Sequence, residues 1–259
     1  MRSIVSHIKQ FRPGVFKLLA LIFWIAIWQI AAWATDSVLI LPGPVQTILG
    51  IGEIVQEGAF FSTIAITLLR VFLGVLIAGT CGIIAGFLCG LNTGLYTLLK
   101  PVVTVSRTLP VVSVSILLNL WIQSDWVPLA VTFLVCFPIA FTNIVEGVGN
   151  VNQKLLEMAT LYQVPKMRVL KDIYVPSLKP YGAAALMNAI GMGWKATVTA
   201  EVLANALPSM GMNLYYAKIY LETERLFSWT LVVVVLSYGI EKLAVYLLRK
   251  VRAGEEYAN

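Results

Sequence analysis

Four charged side chains interrupt otherwise apolar stretches of the sequence, and they are the residues best placed to do chemistry. They are Arg70, Arg107, Lys195 and Glu201. An ionisable group in lipid is expected to pair with an opposite charge or to face a polar ligand. Arg70 and Glu201 form a candidate ion pair between helices, with structural pairing favoured over substrate contact. Arg107 and Lys195 are candidates for a translocation pathway that contacts a passing anion, and a structural role is equally open for them.

Residue patterns typical of catalysis or metal binding are absent from the sequence. The only histidine is His7, and the three cysteines form no CxxC pair, so we expect no metal site. The stretch 191–197, GMGWKAT, fails the phosphate-loop pattern because Trp194 separates Gly193 from Lys195. HExxH and GxSxG are missing as well. We therefore expect no catalytic residues and no cofactor bound by this chain.

The composition indicates that the solvent of this protein is a membrane. Hydrophobic residues make up 59% of the 259 residues and charged residues 12%, whereas soluble domains are roughly 25% charged. The sequence contains no long polar stretch that could form a separate soluble domain. We expect an all-α membrane protein with the lipid bilayer as a partner and no nucleic acid.

Six apolar stretches are long enough to cross a bilayer, which takes about 20 helical residues. They cover roughly 15–34, 62–91, 101–121, 126–146, 182–206 and 227–248. We therefore predict a single transmembrane domain over 1–259 with an N-terminal tail at 1–14. The basic start, the apolar run and the AWA at 32–34 also fit a signal peptide. The apolar run is longer than is usual for such a signal, so a retained span is our expectation.

Glycines are frequent in the second apolar stretch. Gly82, Gly86 and Gly90 are spaced four residues apart and therefore stack on one face of a helix. Small residues on one face allow another helix to approach closely. We predict that this stripe is a packing surface between helices.

The distribution of lysine and arginine predicts the orientation in the membrane. The N-terminal tail, the segment 147–181 and the C-terminal end are basic, whereas the loop 35–61 and the turn 122–125 contain no lysine or arginine. Basic loops stay on the cytoplasmic side. Both termini and the segment 147–181 are therefore predicted to be cytoplasmic.

The segment 147–181 holds five of the nineteen basic residues and cannot span lipid. Its apolar residues recur at helical spacing as far as Tyr162, and Pro165 fits the start of a second short helix. Pro176 and Pro180 are predicted to end this unit before the next span. Such a pair of amphipathic helices either lies on the inner leaflet or docks a soluble partner, and the physics alone leaves both open.

The stretch LLEMATLYQVPKMRVLKDIYVPSLKPY, residues 155–181, resembles the EAA loop of permeases from binding-protein-dependent ABC importers. Glu157 and Ala159 match the E-x-A pattern and Pro176 matches its proline, but Gln163 occupies the place of the glycine. In that family the loop forms coupling helices that insert into a groove of the ATP-binding subunit. The residues that we assign to the coupling loop are Glu157, Ala159, Gln163, Pro165, Arg168 and Pro176.

Three other stretches resemble the nitrate/sulfonate/taurine-type branch of that family. They are TLLRVFLGVLIAGTCGIIAGFLCGL (67–91), RTLPVVSVSILLNLW (107–121) and GWKATVTAEVLA (193–204). The resemblance implies the type I importer permease fold and a location in the bacterial inner membrane. It also implies a second permease copy, two ATP-binding subunits that hold ATP and magnesium, and an extracytoplasmic substrate-binding protein.

The substrates implied by this branch are sulfonates, taurine, nitrate and similar oxyanions, with heterocyclic vitamin precursors as the alternative. A secondary transporter is a weaker alternative because we find no inverted repeat in the sequence. A membrane-embedded enzyme is disfavoured because no paired acid/base or metal-binding groups lie at membrane depth. The resemblance therefore predicts a non-catalytic transport subunit.

Overall fold

The computed structural model describes residues 13–256, with side chains from 15 to 250; most of the predicted tail 1–14 lies outside this range. Helices make up the described part of the chain, and no strand occurs in it. The helices are α1 (Pro13–Thr35), α2 (Pro44–Gln56), α3 (Phe60–Leu91), α4 (Thr93–Thr108), α5 (Val111–Trp121), α6 (Val127–Gly149), α7 (Gln153–Leu161), α8 (Lys166–Val169), α9 (Val175–Ala204), α10 (Met210–Ile219) and α11 (Thr223–Glu256). The all-α fold class is therefore confirmed.

Local signals in the sequence account for several helix ends. Pro44 stands at the start of α2, where its missing N–H is not needed. The side-chain oxygen of Asn92 accepts hydrogen bonds from the first backbone N–H groups of α4, those of Gly94 and Leu95. Helix α9 ends at Asn205, which adopts the left-handed conformation common at helix C-termini.

By length and composition, four helical stretches of the described chain could each cross a membrane. They are Val15–Thr35, Phe60–Leu91, Ser124–Gly149 and Thr223–Lys250, and the pair α4 and α5 makes a fifth if it counts as one span. The fifth predicted span, 182–206, coincides with most of α9, which is not among these candidates. Many side chains of α9 pack against other helices instead of facing lipid, so an apolar surface is not needed all around it.

The predicted span 101–121 is not one straight helix. Helices α4 and α5 meet at an angle of 105° across Leu109 and Pro110. Proline disfavours helical conformation in the residue before it and removes a helical hydrogen bond. The chain therefore turns sharply inside the stretch that we predicted as a continuous span.

The chain divides into two compact units. The first contains the described residues up to 60 together with Tyr216–Val232. Within it, the indole N–H of Trp28 donates to the carbonyl of Pro42 at 3.0 Å. The hydroxyl of Ser228 donates to the carbonyl of Thr47 at 2.9 Å. These bonds connect α1 with the loop before α2, and α11 with α2 itself, inside this unit.

The second unit contains Phe61–Tyr215 and the described residues after 232, and close packing of α3 on α6 organises it. A methyl group added at Gly82 would lie 2.6 Å from Cβ of Ala140, and one at Gly90 would lie 2.6 Å from Cβ of Val148. At Gly86 it would lie 2.8 Å from a backbone oxygen of α6. The glycine stripe is therefore confirmed as a packing surface.

Helix α9 packs along α6 and also approaches α3, where a methyl group at Gly193 would lie 3.0 Å from the Val75 side chain. Thr132 of α6 and Thr197 of α9 share a hydrogen bond between their hydroxyl groups. A methyl group at Gly193 would lie 2.9 Å from Sγ of Cys136, so these two helices also approach closely. Helix α9 thereby presents one edge to α6 and leaves another edge, which includes Lys195, exposed.

Candidate coupling segment and intramembrane charges

The predicted loop 147–181, called the coupling segment below, contains a first short helix with a clear start signal. The side-chain oxygen of Asn152 accepts a hydrogen bond from the backbone N–H of Lys154 at 3.0 Å, and α7 follows. Ala159 is buried with 4% exposure, whereas Glu157 on the same helix is exposed. Helix α7 therefore packs with one face and presents a carboxylate on another.

The turn after α7 depends on Gln163, the residue at the glycine position of the EAA pattern. Its φ angle is +52°, in the left-handed region that glycine adopts more easily than other residues. The backbone N–H of the next residue, Val164, donates to the carbonyl of Ala159 at 2.8 Å and closes the turn. The chain thus makes a left-handed turn at this position without a glycine, and Pro165 then begins the second short helix.

The prediction that Pro176 and Pro180 end the unit is wrong. Helix α8 passes through a π-helical turn, Leu170–Tyr174, directly into α9. Pro176 directly follows the π-helical turn, and the helix continues although this residue has no N–H to donate. Pro180 lies inside the same helix, which continues to Ala204. The short helix α8 and the long helix α9 therefore form one continuous element.

The tip of the coupling segment exposes large apolar side chains. Leu161 is 78% exposed, Tyr162 74% and Met167 76%. Arg168 and Glu157 are exposed nearby in the sequence. An apolar tip with charged neighbours is suited to a protein partner, since such clusters are uncommon on free surfaces.

Arg70 and Glu201 are brought together in the second unit. Nη1 of Arg70 lies 3.1 Å from Oε1 of Glu201, whose side chain is fully buried. The other carboxylate oxygen accepts hydrogen bonds from the hydroxyl of Thr67 at 3.0 Å and from the backbone N–H of Gly211 at 3.2 Å. The buried charge of Glu201 is therefore compensated by three donors from two other elements.

Arg70 also contacts groups that the sequence reasoning missed. Nη2 of Arg70 lies 3.5 Å from Oδ1 of Asp125, and Nη1 donates to the carbonyl of Pro208 at 3.2 Å. The same Asp125 oxygen accepts a hydrogen bond from the backbone N–H of Leu207 at 3.1 Å. The network joins α3, the turn before α6 and the connection from α9 to α10. Asp125 was visible as the only acid of its turn, but nothing local in the sequence indicated its partner.

Arg107 and Lys195, the two candidate pathway cations, occupy different surroundings. Arg107 lies exposed in the last turn of α4, just before the bend. Lys195 lies exposed on α9 and lines an open cavity of about 430 Å³ between α9 and α11. Arg107 is not among the residues lining that cavity. Neither cation forms an ion pair with another residue of the described chain.

The cavity beside Lys195 contains charged residues that the sequence analysis passed over. Glu241 and Lys242 of α11 line it, together with Asn188 and Tyr238. The ammonium group of Lys242 lies 5.3 Å from the centre of the Tyr238 ring. Both charges fall within the predicted span 227–248. Their position within an apolar stretch was the sequence signal that could have identified them as candidate site residues.

The comparison with known families agrees with this architecture. The family model described as binding-protein-dependent transport system inner membrane component matches residues 78–253, which include the coupling segment, Glu201 and the cavity beside Lys195 but not Arg70. The chain belongs to this family. It is therefore a membrane permease subunit of a binding-protein-dependent transport system.

Several relatives whose names state a transported solute are similar to most of the chain. A putative aliphatic sulfonates transport permease of Bacillus subtilis is 26% identical, covering 87% of this chain and 82% of its own. A bicarbonate transport permease of Synechococcus elongatus is 29% identical, covering 82% and 81%. A formylaminopyrimidine transport permease of Halalkalibacterium halodurans is 26% identical, covering 69% and 70%.

A solved structure shares the fold. A chain of the inward-facing MetNI methionine ABC transporter superimposes with a TM-score of 0.56, covering 74% of this chain and 93% of that chain. The two sequences are 14% identical, so the match concerns the fold alone. The type I ABC importer permease fold expected from the sequence is therefore confirmed.

Proposed function

We propose that this chain is one of two identical permease subunits of an ATP-driven importer that moves a small oxyanion into the cytoplasm. The observation that carries the proposal is the coupling segment: two short helices with an exposed apolar tip, joined by a left-handed turn at Gln163. A secondary transporter would have no use for such a docking tip. The family match supports the same conclusion.

Two cytoplasmic ATP-binding subunits and an extracytoplasmic binding protein complete the proposed assembly. ATP and magnesium are held by the ATP-binding subunits, and this chain supplies no catalytic residue. Leu161, Tyr162 and Met167 are the proposed apolar contacts to the ATP-binding subunit, with Glu157 and Arg168 as charged contacts. The exposure of all five side chains supports this assignment.

The continuity of α8 with α9 supports a mechanical route from ATP hydrolysis to the membrane. Closure of the ATP-binding subunits moves the coupling segment, and the π-helical turn Leu170–Tyr174 passes that movement to α9. Helix α9 carries both Lys195 and Glu201. A displacement of this helix therefore changes the surroundings of both charges and alternates the access of the pathway.

The proposed orientation has both termini and the coupling segment in the cytoplasm, and the protein in the inner membrane. The excess of lysine and arginine in those parts of the sequence supports it. In this orientation the turn at Asp125 faces the binding protein. Arg70 and Glu201 then hold the outer ends of several helices together below it.

The proposed substrate is a sulfonate, taurine, nitrate or a similar oxyanion. The similarity to the sulfonate and bicarbonate permeases supports this class, whereas the similarity to the formylaminopyrimidine permease favours a heterocyclic vitamin precursor as the second candidate. Growth of the source bacterium with and without this gene, on single sulfur or nitrogen sources, distinguishes them. We expect loss of growth on one oxyanion source. Failure of the mutant to use an external heterocyclic vitamin precursor, while the finished vitamin still supports growth, would establish the second candidate instead.

A further inference from the structure

The cavity between α9 and α11 is lined by charged and polar side chains, although both helices were predicted to span the membrane. Lys195 and Asn188 of α9 face Glu241, Lys242 and Tyr238 of α11 across about 430 Å³. A methyl group added at Gly191 would lie 3.3 Å from the Glu241 carboxylate, so this acid lies one helical turn from Lys195.

The residues that line this cavity lie within two predicted spans, 182–206 and 227–248. Within the described residues, Lys195, Glu241 and Lys242 form no ion pair. Ionisable groups at such depth face water, a polar solute or protein, because exposure to acyl chains is strongly unfavourable.

We propose that this cavity is a binding site for a small organic anion on its way through the membrane. The inference rests on the proposed import function and narrows its substrate class. Two lysines against one glutamate leave a net positive charge, which favours an anion. The Asn188 amide and the Tyr238 hydroxyl offer further hydrogen-bond donors.

The rest of the lining favours an organic anion over an inorganic one. Met187, Met192 and Val245 form an apolar wall in the same cavity. A volume of about 430 Å³ lies in the range of small-molecule sites. Nitrate or bicarbonate would use the lysines and leave the apolar wall without contacts, whereas an alkanesulfonate would use both.

Glu241 has a separate role in this site. A carboxylate beside Lys195 lowers the positive potential that the anion meets. Binding in a transport pathway has to be weak enough for release, so a partly compensated cation suits it better than an isolated one. Removal of Glu241 should therefore strengthen the preference for anions, and removal of Lys195 should weaken it.

Thiol labelling tests the electrostatic part directly. In a Cys81→Ser background, Asn188→Cys is reacted in isolated membranes with a sulfonatoethyl and a trimethylammonioethyl methanethiosulfonate. Each rate is divided by the rate of that reagent with a small thiol, and the parent chain serves as the blank. We expect the anionic reagent to react about tenfold faster after this correction. Leu186→Cys, on α9 but outside the cavity, should remain unreactive.

Variants at the charged residues test the direction in which the preference for the anionic reagent changes. Lys195→Gln should remove most of the anionic preference, Glu241→Gln should increase it, and Lys250→Gln outside the cavity should leave it unchanged. If Lys195 and Glu241 had only structural roles, their replacement would not change the ratio of anionic to cationic reagent rates in opposite directions. If Asn188→Cys does not accumulate in the membrane, Met192→Cys reports on the same cavity. Equal reagent rates, or no reaction at either cysteine, would overturn the proposal.

Protection from labelling identifies the ligand class. Butanesulfonate should slow the reaction at Asn188→Cys at concentrations where nitrate has little effect. Equal protection by nitrate would overturn the organic-anion assignment, as would protection by neither anion. These measurements use neither ATP nor the binding protein. A failure of the site is therefore distinct from a failure of the proposed import function, which uptake with the complete complex would reveal.

Discussion

At the scale of single residues, the Arg70–Glu201 network is the strongest polar feature of the described chain. The Glu201 side chain is fully buried, and that of Arg70 is only 11% exposed. Breaking a buried pair by removing one partner leaves an uncompensated charge, which is more destabilising than loss of both partners together. The pair therefore makes a sharp prediction about stability.

We expect Arg70→Gln to destabilise the detergent-solubilised protein by about 3–5 kcal/mol, because it leaves the buried Glu201 carboxylate without a cation. Glu201→Gln should destabilise it less, because Arg70 keeps its contact with Asp125. The double variant should lose less stability than the sum of the two single losses, because it no longer carries the unpaired buried charge. The exposed pair of Arg225 and Glu57, 2.7 Å apart, supplies the control, with an effect of about 0–1 kcal/mol for Arg225→Gln. Denaturant unfolding measures all four variants. Strict additivity of Arg70→Gln and Glu201→Gln would contradict the coupling.

Gln163 gives the second prediction at this scale. Its left-handed conformation is strained for a residue with a side chain, by about 1–2 kcal/mol. Gln163→Gly should relieve that strain and preserve uptake, whereas the β-branched Gln163→Val should reduce uptake by disturbing the turn between α7 and α8. Uptake at equal expression measures both. Normal uptake by the valine variant would show that the turn does not depend on this conformation.

The sequence indicated only part of the polar network. Arg70 and Glu201 were paired as a candidate because both were charges at similar predicted depth. Asp125 and the carbonyl of Pro208 could not be found in this way, since their contacts depend on how the turn before α6 folds against the start of α10. Glu241 and Lys242 carried the same signal as Lys195 and were overlooked. Side-chain partners over long sequence separations are set by packing, which single-sequence patterns do not specify.

At the scale of helices, the glycines of α3 offer a matched pair of sites. A methyl group at Gly86 would lie 2.8 Å from a backbone oxygen of α6, whereas one at Gly79 would meet no atom within 4 Å. Gly86→Ala should therefore lower the apparent Tm in detergent. Gly79→Ala should leave it unchanged or raise it, because alanine favours helix by up to about 1 kcal/mol. Equal shifts in the two variants would contradict the close approach of α3 and α6.

Helix content was predictable from apolar runs, but helix continuity was not. Proline was treated as a break at Pro176 and Pro180 and was passed over at Pro110. The structure has the reverse: the chain bends by 105° at Pro110 and stays helical through Pro176 and Pro180. A proline removes one helical hydrogen bond, and the helix either bends there or continues, as it does through Pro180 and Pro138. Which case applies depends on where the preceding helix ends, and the π-helical turn Leu170–Tyr174 left no sequence signal.

At the scale of the whole molecule, the orientation in the membrane has a direct test. A cysteine at position 53 (Glu53→Cys) should react with an impermeant maleimide from outside. A cysteine at position 171 (Lys171→Cys) should react only after the membrane is opened, because the coupling segment is proposed to be cytoplasmic. Both residues are exposed, so accessibility within the chain does not limit the reaction. Labelling in the opposite pattern would overturn the orientation.

The central claim is that this chain couples transport to a separate ATP-binding subunit through the segment of α7 and α8. The most direct measurement is purification of the tagged chain from native membranes, with assay of bound ATP-binding subunit and of substrate uptake. We expect the wild-type chain to retain that subunit. Glu157→Lys should insert normally but lose uptake, while the isosteric Glu157→Gln should lose less. A chain that carries no ATP-binding subunit, or full uptake by Glu157→Lys at equal expression, would contradict the account.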